Sequence, residues 1–131
     1  MPPIKDIENR LDVKILVIQF YEKIRSDKLL GPIFNATIKN WPEHLKHITD
    51  FWETQLFFVA KFKGNPLKKH VEVDNQTNHT IRANNFGKCL NYWFETIDFL
   101  FEGGRVQEAK NRARKMGSHL YLKLFEARPK S

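Results

Sequence analysis

The chain has 131 residues, of which 41% are hydrophobic and 13% aromatic, with 11 phenylalanines; its formal charge is +7 and its pI is near 9.6. That length suits one domain able to bury about two-thirds of its unfolded surface. A single cysteine, Cys89, excludes an intrachain disulfide, and the absence of any run of about 18 apolar residues excludes a membrane-spanning helix.

A basic balance of this size can serve nucleic acid, an anionic membrane or an acidic redox partner. Here the lysines and arginines form no compact cluster, so they read as helix-surface charge, and neither a nucleic-acid partner nor a membrane span is expected. The lone cysteine and a first stretch, Met1-Pro2-Pro3-Ile4-Lys5-Asp6, without a signal-peptide core point to the cytoplasm. The high ring content suits a dense core or a flat apolar ligand.

From about Asp6 to Arg25 the pattern is helical. Its apolar residues fall on two adjoining stripes, Leu11, Ile15 and Ile18 on one and Val13, Val17, Phe20 and Ile24 on the other. Tyr21, four residues after Val17, points inward beside Phe20, and a buried hydroxyl needs a partner: a backbone carbonyl, a histidine or a polar ligand. Gly31-Pro32 breaks the helix, and the connector beyond delivers Phe34 to the interior.

A second helix is expected from Asn40 to about Lys61, with Glu43 as capping-box partner and Pro42 in the first turn. Its inward stripe reads His44, Ile48, Phe51, Trp52, Gln55 and Val59, while His47 lies nearer the polar edge. The His44/His47 spacing is that of a zinc pair, but no cysteine or glutamate follows at ligand spacing. Pro66 then opens a short stiff segment through Leu67 to His70, where a single imidazole is well placed to be an axial ligand.

A third long helix covers about Ile81 to Phe101, with Phe86, Cys89, Leu90, Trp93, Phe94, Ile97 and Phe101 inward. Gly103-Gly104 ends it. A fourth runs from about Val106 to Phe125, turning Ala109, Ala113, Met116, Leu120 and Leu124 inward and Arg105, Lys110, Arg112 and Lys115 to solvent. The tail from Ala127 is expected to fray. No period-two strand pattern of useful length occurs, so the chain is all-α. Phosphate-cradling glycine loops, serine nucleophile elbows and paired inward carboxylates are absent. Chemistry would therefore have to come from a bound cofactor.

In order and spacing, these residues resemble the truncated hemoglobins, most closely the group III branch. Phe20-Tyr21-Glu22-Lys23-Ile24-Arg25 followed by Leu30-Gly31-Pro32-Ile33-Phe34 is similar to that family's second helix and the turn after it. Trp41-Pro42-Glu43-His44 with Phe51-Trp52 resembles its distal helix, Pro66-Leu67-Lys68-Lys69-His70 its proximal segment, and Glu95-Thr96-Ile97-Asp98 its penultimate helix. The likeness runs from about Leu16 to Leu120, and the glycine-pair motifs of the other branches are missing.

The resemblance implies a 2-on-2 helical sandwich enclosing heme b in a single domain, expected as a monomer. It implies His70 as proximal iron ligand, with Tyr21, His44 and Ile48 on the distal side. Phe34, Phe51, Leu67, Trp93 and Met116 would contact the cofactor. The family usually carries a tryptophan facing the ligand where the register here puts Cys89, which replaces an indole donor by a small thiol. Cys89 would then be either a buried filler or a thiol able to react with NO. The ligands implied are O2, NO and CO, with an unidentified reductase as electron donor. NO dioxygenase or peroxidase-like turnover is one use; a carrier or sensor without turnover is another. A cofactor-free basic binder of nucleic acid or membrane surfaces is the alternative outside the family.

Overall fold

In the computed structural model, residues 4–58 and 83–127 are described, the second stretch with side chains from 87 to 117. Five α-helices make up these residues: α1 (Arg10–Ser26), α2 (Leu30–Thr37), α3 (Trp41–Phe57), α4 (Ala83–Leu100) and α5 (Gly104–Ala127). Apart from one isolated bridge between Lys5 and Phe101, no strand pairing is present among them. The all-α expectation is met. The α1–α3 pair lies against the α4–α5 pair, α1 touching α4 and α3 touching α5, while α2 packs on α1.

Helix α1 starts four residues later than expected. Asn9 is its cap, accepting from the Asp12 N–H at 3.1 Å. The preceding residues are used elsewhere: Ile7 is fully buried, and Asp6 accepts from the backbone N–H groups of Arg105 and Val106 at the start of α5. Of the two apolar stripes on α1, one goes inside. Val13, Leu16, Val17, Tyr21 and Ile24 are buried, whereas Leu11 is 62% exposed and Ile15 also faces out. Leu11 lies roughly 160° around the helix from Val13, so the stripes could not both face α3 and α4.

The break expected at Gly31-Pro32 comes earlier, at Asp27, and Gly31-Pro32 instead sits in the first turn of α2. Proline is tolerated there because its missing N–H would be unpaired anyway. Phe34 is accordingly helical, not in a connector. Gly31 is required for another reason: a Cβ there would lie 2.5 Å from the Arg25 carbonyl oxygen, where α2 starts against the end of α1. The expected glycine stop before the last helix is present as Gly103, at φ 147°, but Gly104 already belongs to α5.

Helix α3 begins as expected. Asn40 accepts from the Glu43 N–H at 3.2 Å, and its amide donates to the Glu43 carboxylate. It ends at Phe57, short of Lys61, with Phe58 in the left-handed region at φ 58° as cap. Arg10 ties it to α1 through ion pairs with Asp50 at 2.7 Å and Glu53 at 3.4 Å. On α5, Arg112 departs from its expected solvent-facing role: it is half-buried, donating to Gln55 at 2.8 Å and paired with Glu108. Lys110 likewise bonds back, to Asp98.

One carboxylate joins three helices. Asp27 accepts from the Leu29 and Leu30 N–H groups at 2.8 and 2.9 Å, capping α2, and from Tyr92 and Lys88 on α4. The Tyr92 hydroxyl first, then the backbone donors, hold its carboxyl well below the usual carboxylate range. A carboxyl depressed in this way stabilises the fold fully above its unfolded value of about 4, and the contribution drains away as pH falls below that. Replacing Asp27 by Ala should cost about 2 kcal/mol at pH 7. Urea unfolding at pH 7 and pH 3 checks this: the gap between variant and parent is expected to narrow in acid, and an equal gap at both would contradict it.

Candidate functional site

The interior face where α1 meets the first turns of α3 is a cluster of rings around one polar pair. Tyr21 is 7% exposed, and its hydroxyl lies 3.1 Å from His44 Nε2, the donor being set by the imidazole tautomer. Burial, with a smaller contribution from Cys89, pushes the phenol far above its ordinary value, so Tyr21 keeps its proton at any physiological pH. Around it stand Phe20, Phe34, Trp41 and His44, all edge-on with centroids 5.0 to 6.1 Å away. Local sequence explains why the pair meets. Tyr21 sits on the buried stripe of α1, and the Asn40 cap fixes His44 one turn into α3, its N–H donating to the Asn40 carbonyl at 3.0 Å.

From His44 an inward stripe continues along α3 through Ile48 and Phe51 to Gln55. Seven residues of helix separate His44 from Phe51, about 10 Å along the axis. There the stripe reaches a cleft between α3 and α5 of about 390 Å³, lined by Phe51, Trp52, Gln55, Arg112, Lys115 and Met116. Its walls are mainly apolar, with the two cations at the α5 side. Polar donors at one end of a ring-lined surface and an apolar cleft at the other suit a flat, largely apolar ligand with one polar centre.

The expected site residues divide into four sets. Tyr21 and His44 are brought into direct contact, with Phe34 beside them and Ile48 half-buried one turn on. Phe51 and Met116 meet at the cleft. Trp93 packs in the core: it stacks on Trp52 at 4.6 Å, meets Phe20 edge-on and donates its indole N–H to the Ala109 carbonyl. Leu67 and His70 lie outside the described residues. His47 is exposed while His44 turns inward, and no cluster of three histidine, cysteine or acidic residues able to hold a metal ion occurs among the described residues. Trp41 beside the polar pair, and Arg112 and Lys115 at the cleft, are not among the site residues expected from the sequence. Trp41 had a signal, being one turn before His44; Arg112 had none, because its basic neighbours gave it the look of surface.

With this geometry in hand, the chain can be set beside known proteins. No family profile matches it. It is 30% identical over 122 residues to the group 3 truncated hemoglobin of Campylobacter jejuni, covering 90% of this chain and 92% of that one. The chain belongs to the group 3 truncated hemoglobins. The crystal structure of a group III truncated hemoglobin from Campylobacter jejuni superposes with a TM-score of 0.84 at 28% identity, over 98% of this chain and 100% of that one. A weaker likeness, 24% over 107 residues, is to a GTP cyclohydrolase FolE2 of Methylobacillus flagellatus, of whose length the chain spans 37%.

Within this truncated hemoglobin, Cys89 is partly buried on α4, close enough to Tyr21 to influence its phenol. Desolvation first, and the nearby Asp27 charge second, push its thiol up to about 12. At neutral pH it is therefore a protonated, weakly nucleophilic thiol, which favours the filler role over the reactive one. Ellman's reagent at pH 8 should label Cys89 at least about tenfold more slowly in the folded protein than in guanidinium; equal rates would show an accessible thiolate.

Proposed function

We propose that this truncated hemoglobin binds heme b and takes up O2, or a related diatomic such as NO or CO, for oxygen or NO chemistry in the cytoplasm. The observation that carries the reading is the hydrogen-bonded pair of buried Tyr21 and half-buried His44, set among rings at the head of an apolar stripe that runs into a cleft. A core needing only to be filled has no use for two polar side chains there; a site receiving a small polar ligand does. Heme supplies the redox-active iron at which such ligands are taken up. His70 is the proposed protein ligand to that iron.

The chain's own residues would do the rest. Phe34, Ile48, Phe51, Leu67 and Met116 would give the macrocycle apolar contact and keep water out. Tyr21, held protonated by burial, is a hydroxyl donor at every physiological pH, and His44 orients it or donates alongside it. Cys89 leaves room beside them. A reductase is the proposed source of electrons for any turnover.

The visible spectrum is the direct test. A Soret band, or one that grows on adding haemin, is expected; a colourless protein that stays colourless would refute the reading. His70→Ala should lower heme retention at least about tenfold, measured by transfer to apomyoglobin. Tyr21→Phe removes one donor and should speed O2 release about tenfold in stopped flow. Unchanged release would take Tyr21 out of the ligand's surroundings.

A further inference from the structure

We propose that Trp41, clamped from outside by Arg25, is a positioning residue that sets the donor geometry of the Tyr21–His44 pair. The inference rests on the heme reading above and deepens it. Trp41 is the first residue of α3 and half-buried. Its ring stands edge-on to both members of the pair, 5.5 Å and 64° from Tyr21, 5.7 Å and 86° from His44. Tyr21 and His44 are themselves edge-on at 5.1 Å and 81°. The three rings close a triangle, so neither polar ring can rotate without losing its contact with the third.

The triangle is braced on its outer side. The Arg25 guanidinium lies 4.3 Å from the Trp41 ring centroid, and its Nε–H donates to Asn35 Oδ1 at 3.1 Å. Arg25 comes from the last turn of α1 and Asn35 from α2, so three helices fix one indole. A guanidinium lying over the ring and held by its own hydrogen bond restricts the indole more than packing alone does. Trp41 makes no hydrogen bond to Tyr21 or His44; it acts on them by confining their rings. A hydrogen bond weakens steeply as its angle departs from linear, so small rotations of Tyr21 would be felt by the ligand it faces.

The test uses the heme-loaded protein and its CO complex, with Tyr21→Phe as reference. Trp41→Leu is expected to raise the C–O stretching frequency toward the Tyr21→Phe value and to speed O2 release by several-fold, up to about tenfold. Trp41→Phe, which keeps an edge contact, should stay near the parent in both. Arg25→Gln, on an exposed position, should move both readouts in the same direction by less, and it reads the clamp even if Trp41→Leu fails to fold. If Tyr21→Phe shifts both readouts while the Trp41 or Arg25 variants leave them unchanged, the positioning role is overturned and the heme reading stands. If the parent takes up no heme, both fall.

Discussion

A phenol hydroxyl withdrawn from water must find a partner, and the arrangement of α1 against α3 is the answer to that requirement for Tyr21. The stripe that buries Val13, Val17 and Ile24 carries Tyr21 inward with them, and on the facing turn of α3 it meets His44. Arg10, with its bonds to Asp50 and Glu53, holds the other end of the same helix pair. The helices are thus fixed at both ends, by charge at one and by the tyrosine–histidine bond at the other. Aliphatic side chains of α1 and the rings of Phe51 and Trp52 on α3 lie between.

Much of this could be read from residue spacing. The helices at α1, α3, α4 and α5 follow from three-four periodicity, and the Asn40–Glu43 cap from its motif. The inward histidine follows from its place at the head of an apolar stripe. What escaped depended on contacts between elements. Leu11 and Ile15 carry the same periodicity as Val13 and Val17, and only the positions of α3 and α4 decide which set is covered. Gly31-Pro32 looks like a stop in isolation, yet a proline suits a first turn as well as it ends a last one. The true boundary is Asp27, whose capping role depends on Leu29, Leu30 and a tyrosine 65 residues away.

The site divides the same way. Tyr21, His44, Phe51 and Met116 were legible as an inward set, but the bond between the first two is a tertiary fact. Trp93 was legible as inward, but its stacking on Trp52 at 4.6 Å and the bond from its indole N–H to the Ala109 carbonyl were not. Arg112 was not legible as inward. Its neighbours on α5 made it look like solvated charge, whereas Gln55 and Glu108 draw it over the cleft. A long cationic side chain can cover apolar surface with its stem, and sequence periodicity does not register that.

The segment ahead of α1 has a bearing on how the molecule is assembled and handled. Lys5 pairs its carbonyl with the Glu102 N–H, Asp6 caps α5, and the Ile7 carbonyl accepts from Arg105, contacts reaching across 97 to 100 residues. Gly103 has no side chain at the point where Asp6 presses in; any Cβ there would collide with it. This buckle joins the front of the chain to the corner between α4 and α5, and its closure entropy is that of a very long loop. It can fasten only once the helices between have come together. Any bulky group attached close to Lys5 or Asp6 would sit within a few residues of a fully enclosed isoleucine and would work against the closed buckle.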